Sequence, residues 1–156
     1  MQEKNIKPNV FTYNAAIAAL AKSSRRNMKS KSGEDEEQLW CRALQLFEGM
    51  REAGLEPDAF TYTSVIDACG NGGRWQEALD LIEIMQQSGP KLQPSKVSFT
   101  ATITACAKSG KSGQAVKLFF DMQSAGIVPD RVAYNALMSS LLTGEKPELV
   151  SQVLYF

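Results

Sequence analysis

The sequence predicts an all-α solenoid, a superhelix of tandem antiparallel helix-turn-helix units, and three observations carry that expectation. Four stretches are near copies: Met1-Gln-Glu-Lys-Asn-Ile-Lys-Pro-Asn, Met50-Arg-Glu-Ala-Gly-Leu-Glu-Pro-Asp, Met85-Gln-Gln-Ser-Gly running on to Pro94-Ser95, and Met122-Gln-Ser-Ala-Gly-Ile-Val-Pro-Asp. Their prolines, Pro8, Pro57, Pro94 and Pro129, are 49, 37 and 35 residues apart, so a unit of 35 residues recurs and is twice lengthened. A period of this size belongs to stacked supersecondary units, each packing on its neighbours. Between the prolines, apolar residues recur at helical spacing and glycines fall at fixed offsets.

The unit boundaries follow from the Pro-X pairs. Residues 1–9 read as the end of a preceding unit, 10–58 as unit one with a loop insertion at about 23–37, 59–95 as unit two, 96–130 as unit three, and 131–156 as a truncated unit four. Met1 falls where the other units place Met50, Met85 and Met122, and Phe156 stops one residue before the next such Met is due. A segment of a longer array is therefore expected.

Each unit opens with an aromatic residue that starts an apolar stripe at i+4 and i+7. The sets are Tyr13, Ile17, Leu20; Tyr62, Ile66, Cys69; Phe99, Ile103, Cys106; and Tyr134, Met138, Leu141. This spacing keeps one face of a first helix apolar. A polar turn with glycine follows (Gly72-Gly73, Gly110, Gly144), then a second helix with the pattern Ala-Leu-x-Leu-Phe-x-x-Met, seen at Ala43 to Met50, Ala78 to Met85 and Ala115 to Met122. Gly54, Gly89 and Gly126, with Asn5 as the tolerated substitute, stand where that helix needs a left-handed C-cap, and the proline beyond prevents readthrough. The period leaves the hand of the superhelix open.

Unit one carries 14 extra residues between Lys22 and Gln38. The stretch Ser23 to Glu37 is basic, then acidic, with no apolar period, and reads as a mobile surface loop whose Arg25, Arg26, Lys29 and Lys31 could add phosphate contacts against an offsetting acidic run. Unit two has two additional residues around Pro90-Lys91, which should lengthen the turn between units.

Composition removes several functions. Seventeen basic and seventeen acidic residues balance, so net charge gives no argument for nucleic acid or membrane, and distribution must carry any such case. There is no histidine, which excludes Ser-His-Asp chemistry and the histidine-bearing zinc deaminase signature within this segment. Cys41, Cys69 and Cys106 lie in helix-like apolar patterns without CxxC spacing and read as small core residues of a reducing compartment. No apolar run approaches the roughly 20 residues of a membrane span.

Val10-Phe11-Thr12-Tyr13-Asn14-Ala15-Ala16-Ile17, Ala59-Phe60-Thr61-Tyr62-Thr63-Ser64-Val65-Ile66 and Arg131-Val132-Ala133-Tyr134-Asn135-Ala136-Leu137-Met138, joined to Ala-Leu-x-Leu-Phe-x-x-Met and Gly-x-x-Pro-Asp, resemble the pentatricopeptide repeat family. The match covers nearly the whole chain except Ser23 to Glu37. The resemblance implies an α-solenoid that binds single-stranded RNA, usually in mitochondria or chloroplasts. No metal cluster or acid-base constellation is visible in this segment, so no enzyme, cofactor, membrane or small-molecule substrate is expected within it; a catalytic module appended in a longer parent and protein partners stay open.

In that family the residue after the first-helix aromatic and the last residue of the same unit together select a base. The corresponding pairs here are Asn14 with Asp58, Thr63 with Ser95, and Thr100 with Asp130, while Asn135 has no partner in the chain. By resemblance the first pair favours uracil, the second a purine, the third guanine, and Asn135 a pyrimidine, giving 5′-U-purine-G-pyrimidine-3′. Phe11, Phe60, Val97 and Val132 match positions that wedge between bases. Lys22 and Lys108 match positions that approach phosphate, where Asn71 and Thr143 replace a cation in the other units.

Plainer readings stand beside these. Asn9, Asp58, Ser95 and Asp130 precede helices and could be N-caps, with both roles able to coexist. Asn14, Thr63, Thr100 and Asn135 could be polar residues of a solvated helix face, although recurrence of poor helix formers at one register favours function. Phe11 and Phe60 could be core, and Lys22 and Lys108 merely solvated. A scaffold that binds peptides, similar to tetratricopeptide repeats, is the alternative function. The Tyr-Asn or Tyr-Thr register with a terminal Asp is not its signature.

Overall fold

Three residues that end one unit begin the next helix. Asp58 Oδ1 accepts from the Thr61 backbone NH at 2.8 Å, Ser95 Oγ from the Ser98 NH at 3.3 Å and Asp130 Oδ1 from the Ala133 NH at 2.9 Å, each satisfying an NH that the helix cannot pair itself. Asn9 does the same for the Thr12 NH at 2.9 Å. The four N-cap expectations are therefore met, and the helices they start carry the architecture.

The computed structural model describes the backbone of residues 7–27 and 33–144, with single positions at 148, 151 and 153, and the side chains of 7–24 and 38–144 with the same three positions. Seven α-helices occur among the described residues: α1 Val10–Asn27, α2 Gly33–Glu52, α3 Ala59–Asn71, α4 Trp75–Gln87, α5 Lys96–Lys108, α6 Ser112–Ser124 and α7 Arg131–Thr143. Consecutive helices pair as hairpins, α1 with α2, α3 with α4 and α5 with α6. The first helices also pack directly on one another, α1 on α3, α3 on α5 and α5 on α7. Successive second helices meet at most marginally. Two layers result, and the close-packed row of first helices is the concave side.

The predicted stripes lie in the seam between the layers, except on the last first helix, where Tyr134 is exposed, Met138 is half-buried and Leu137 is fully buried beside Leu141. Ile17, Ile66, Ile103, Cys69, Cys106 and the three repeat methionines Met50, Met85 and Met122 are all fully buried. Each large apolar side chain so buried contributes about 1.5 to 3 kcal/mol, distributed along the array. The opening aromatic of a unit meets the phenylalanine of the preceding second helix edge to face: Phe47 with Tyr62 at 5.1 Å between ring centroids, Phe119 with Tyr134 at 5.0 Å. Cys41 departs from its predicted place, being only half-buried. All three cysteines are free thiols.

The C-cap expectation holds at Gly54 and Gly126, whose φ values of 75° and 76° lie in the left-handed region. The next residue's NH then reaches back, Leu55 to the Met50 carbonyl at 3.0 Å and Ile127 to the Met122 carbonyl at 3.1 Å, closing the last turn. After Gly89 a single 3₁₀ turn at Pro90–Leu92 takes up the two extra residues of unit two. Asn5 lies outside the described residues.

The predicted loop at 23–37 is corrected. Residues 23–27 complete α1 and residues 33–37 begin α2, so these helices have 18 and 20 residues where every other one has 13. The insertion lengthens a hairpin instead of looping out. Its charge order gives the reason: Arg25 and Arg26 fall in the last turn of α1, where the macrodipole favours cations, and Glu34, Asp35, Glu36 and Glu37 fall at the start of α2, where it favours anions. Residues 28–32, with Lys29 and Lys31, and the side chains of Arg25 and Arg26 lie outside the described residues.

Candidate nucleic-acid interface

The concave row of helices presents Phe11, Phe60, Val97 and Val132 at 80%, 57%, 47% and 55% exposure. Four apolar side chains are exposed at the same position, the second, of successive first helices, so they form one row and not scattered single residues. None of them is core. Between Val97 on α5 and Val132 on α7 opens a cavity of about 320 Å³, with Thr100, Asp130, Asp67 and Lys96 also on its walls. Its size is at the lower end of the roughly 300 to 1,000 Å³ typical of small-ligand pockets.

The residues assigned to base selection do not lie on a solvated helix face, with one exception. Asn14 is 8% exposed, and Thr63 and Thr100 sit half-buried where successive first helices meet; of the residues on the first helices only Asn135 is exposed, and the cap residue Asp58 is exposed as well. The structure brings Asn14 and Asp58 together: the Asn14 amide nitrogen lies 3.3 Å from both carboxylate oxygens. Thr63 and Ser95 are joined through a third residue, since Ser98 Oγ is 2.9 Å from Thr63 Oγ1 and 3.1 Å from Ser95 Oγ. Thr100 and Asp130 share the cavity wall, yet Thr100 Oγ1 is buried without a hydrogen-bond partner among the described residues.

Partial burial alone would raise the Asp58 carboxyl. Hydrogen bonds from the Thr61 backbone and hydroxyl, from the Asn14 amide and from the Phe60 NH outweigh it and hold the pKa below the ordinary value of 3.8. Asp58 is thus kept anionic, capping α3 and orienting Asn14 at once.

Thr61 and Ser98 were not legible as site residues, although the spacing Asp58-x-x-Thr61 and Ser95-x-x-Ser98 is the capping-box pattern and was the available signal. Both are fully buried. Thr61 Oγ1 lies 2.6 Å from Asn14 Oδ1 and 2.8 Å from Asp58 Oδ1, so its single proton is shared between the two acceptors.

Two of the positions matched to phosphate contact are engaged within the protein. Lys108 Nζ donates to the Asn71 carbonyl at 3.1 Å, and the Asn71 amide donates to the Ala21 carbonyl at 3.4 Å, so the same position in two units ties its helix to the first helix before it. Thr143 Oγ1 instead donates within its own helix to Ser139 at 2.8 Å. Lys22 is exposed. No group of three or more His, Cys, Asp or Glu side chains that could hold a metal ion occurs among the described residues, and no helix there is long and apolar enough to cross a membrane.

Hairpins stacked with first helices inward, and a polar residue at the same register of each seam, define the class as a helical-repeat solenoid with a repeating concave surface. Family profiles agree with that class. One described as PPR repeat family matches residues 37–71 and 94–143, another described as PPR repeat matches 60–90, and a pentatricopeptide repeat domain profile matches 1–24. The chain belongs to the pentatricopeptide repeat family. It is 30% identical over 79 residues to "Pentatricopeptide repeat-containing protein 10, chloroplastic" of Zea mays, an alignment covering 51% of this chain and 8% of that protein. Among solved structures it resembles the PPR domain of Arabidopsis thaliana protein-only RNase P 1 in complex with tRNA, at TM-score 0.75 and 16% identity, over 99% of this chain and 73% of that one. It also resembles maize PPR10 in complex with an 18-nt psaJ RNA element, at TM-score 0.67 and 20% identity, over 97% and 21%. The chain thus spans less than a tenth of the curated relative's length.

Proposed function

We propose that this chain binds single-stranded RNA along its concave face, one base per unit, with the order 5′-U-purine-G-pyrimidine-3′. The observation that carries the proposal is the cavity between Val97 and Val132, which has an apolar wall on two sides and Thr100 and Asp130 within reach of whatever enters. A splayed base needs that combination, faces held by apolar groups and an edge met by a few polar ones. The wedge residues Phe11 and Phe60 recur in register, and RNA is the ligand named for two structural relatives.

Magnitude limits affinity. Stacking contributes about 1 to 3 kcal/mol per base, so three complete units gather roughly 3 to 9 kcal/mol, against an association cost of about 4 to 15 kcal/mol. Weak binding follows for this segment, and useful affinity requires more units. A role in stabilising or processing a transcript in a chloroplast or mitochondrion is part of the same proposal, supported by the chloroplastic name of the Zea mays relative.

The test is a titration at low salt with 5′-UAGU-3′ or 5′-UGGU-3′ embedded in a longer strand, beside a polyadenosine strand of equal length. Preference for the embedded sites supports the proposal. Equal affinity for polyadenosine, or none for either, overturns it in favour of a peptide-binding scaffold.

A further inference from the structure

We infer that the third residue of each first helix, Thr61, Ser98 or Ala133, decides how the base-selecting side chain of the unit before it is held, and that Ala133 leaves Thr100 able to turn toward a base. This rests on the RNA-binding reading and adds a positioning residue to it. Three seams of the same geometry carry different residues at this place.

At the first seam the Thr61 hydroxyl, fully buried, approaches Asn14 Oδ1 at 2.6 Å and fixes which end of the amide faces Asp58. At the second, Thr63 Oγ1 donates to the Ala59 carbonyl at 2.8 Å, so its contact with Ser98 Oγ at 2.9 Å must use the serine proton. Thr63 then has its proton and a lone pair engaged within the protein. At the third seam Ala133 has no hydroxyl to offer, and Thr100 Oγ1 is buried without a partner among the described residues.

A buried hydroxyl without a partner is held unfavourably. Rotation of Thr100 about χ1 toward the cavity it lines breaks no protein hydrogen bond, whereas the same rotation at Thr63 breaks two. The third base should therefore be discriminated more sharply than the second. The residue that sets this difference touches no base: it sits one unit further along the chain.

The experiment compares wild type, Ala133→Ser and Ser98→Ala on strands of the form 5′-UANU-3′ and 5′-UNGU-3′, each N taken through all four bases. The expected result is that Ala133→Ser lowers discrimination at the third base by about tenfold, one hydrogen bond's worth, and leaves the second base unaffected. Ser98→Ala should sharpen the second base while the third is unchanged, and it carries the test should Ala133→Ser fail to fold. Folded variants with unchanged discrimination, or with equal losses at every base, overturn this inference and leave RNA binding standing. A wild type that binds no RNA overturns the RNA-binding reading itself. In that case Thr100→Val with Ala133→Ser, in a denaturation double-mutant cycle without RNA, still reads the seam: zero coupling shows that the two residues do not engage.

Discussion

Gly70 on α3 lies so close to Ala101 on α5 that a Cβ on the glycine would fall 2.6 Å from the Ala101 carbonyl oxygen. The obstacle is backbone, so only a shift of one first helix against the next relieves it. Gly70→Ala gains about 1 kcal/mol of helix propensity and meets an overpacking cost of about 1 to 3 kcal/mol. Net destabilisation is expected, visible as a lower midpoint in thermal or urea unfolding. A higher midpoint would mean that α3 and α5 slide apart freely, and the close-packed concave row would lose its support.

Asp58 caps α3 and holds Asn14, and its hydrogen bonds depress its pKa. Asp58→Ala removes the cap and should cost about 0.5 to 2 kcal/mol at neutral pH. Asp58→Asn keeps a capping oxygen but not the charge, so its loss should be smaller. The sign of the pH effect follows from the depressed value. Stability from the carboxylate is complete above its unfolded-state pKa, near 4, and disappears as pH falls through the lower folded-state value. The gap between wild type and Asp58→Asn should stay level from pH 7 to about 5 and close on further acidification, measured by urea midpoints. A gap that widens in acid would contradict the assigned interactions.

Burial pushes the thiols of Cys69 and Cys106 up to about 12, with the nearby Glu77 charge adding to the effect at Cys69. At pH 8 a thiol of that pKa is ionised to about one part in ten thousand. Half-buried Cys41 should accept a maleimide first, and the other two should label only at the rate of chain opening. Mass spectrometry of quenched time points reads the order. The same shift makes alkali destabilising: above about pH 9 the unfolded thiols ionise while the folded ones do not, each removing about 1.4 kcal/mol of stability per pH unit. Cys106→Ala should lose less stability than wild type between pH 9 and 11.

The repeat, the stripes and the caps were legible because each is set locally. Tyr62, Ile66 and Cys69 announce a helix face by spacing alone, and Gly54 announces its end. What faces the row of first helices is set by contacts between residues more than thirty positions apart, and Asn14 shows the consequence. Its type and register fit a solvated face, yet the neighbouring α3 covers it, and Thr61, 47 positions away, completes its hydrogen bonding. The insertion misled for another reason. Ser23 to Glu37 has no apolar period, but its charges suit the ends of two helices, and Ser24, the last described side chain of α1, is buried.

Thr100 offers the sharpest test of the base register. Within the proposed pairing, Thr with Asp130 selects guanine at the third position, and asparagine in its place selects uracil. Thr100→Asn adds a longer amide beside a cavity of about 320 Å³, which can take it without crowding Val97 and Val132. The amide offers two N–H donors and a carbonyl acceptor on separate atoms, where the hydroxyl carries its one donor and its lone pairs on a single oxygen. Preference at the third base of 5′-UANU-3′ should move from guanine to uracil by about tenfold or more, on the scale of one hydrogen bond. Affinity for strands varied at the first base should be unchanged. Competition binding with the four strands checks it directly, and a third-base preference that stays on guanine in the folded variant would show that Thr100 is not the residue that faces that base.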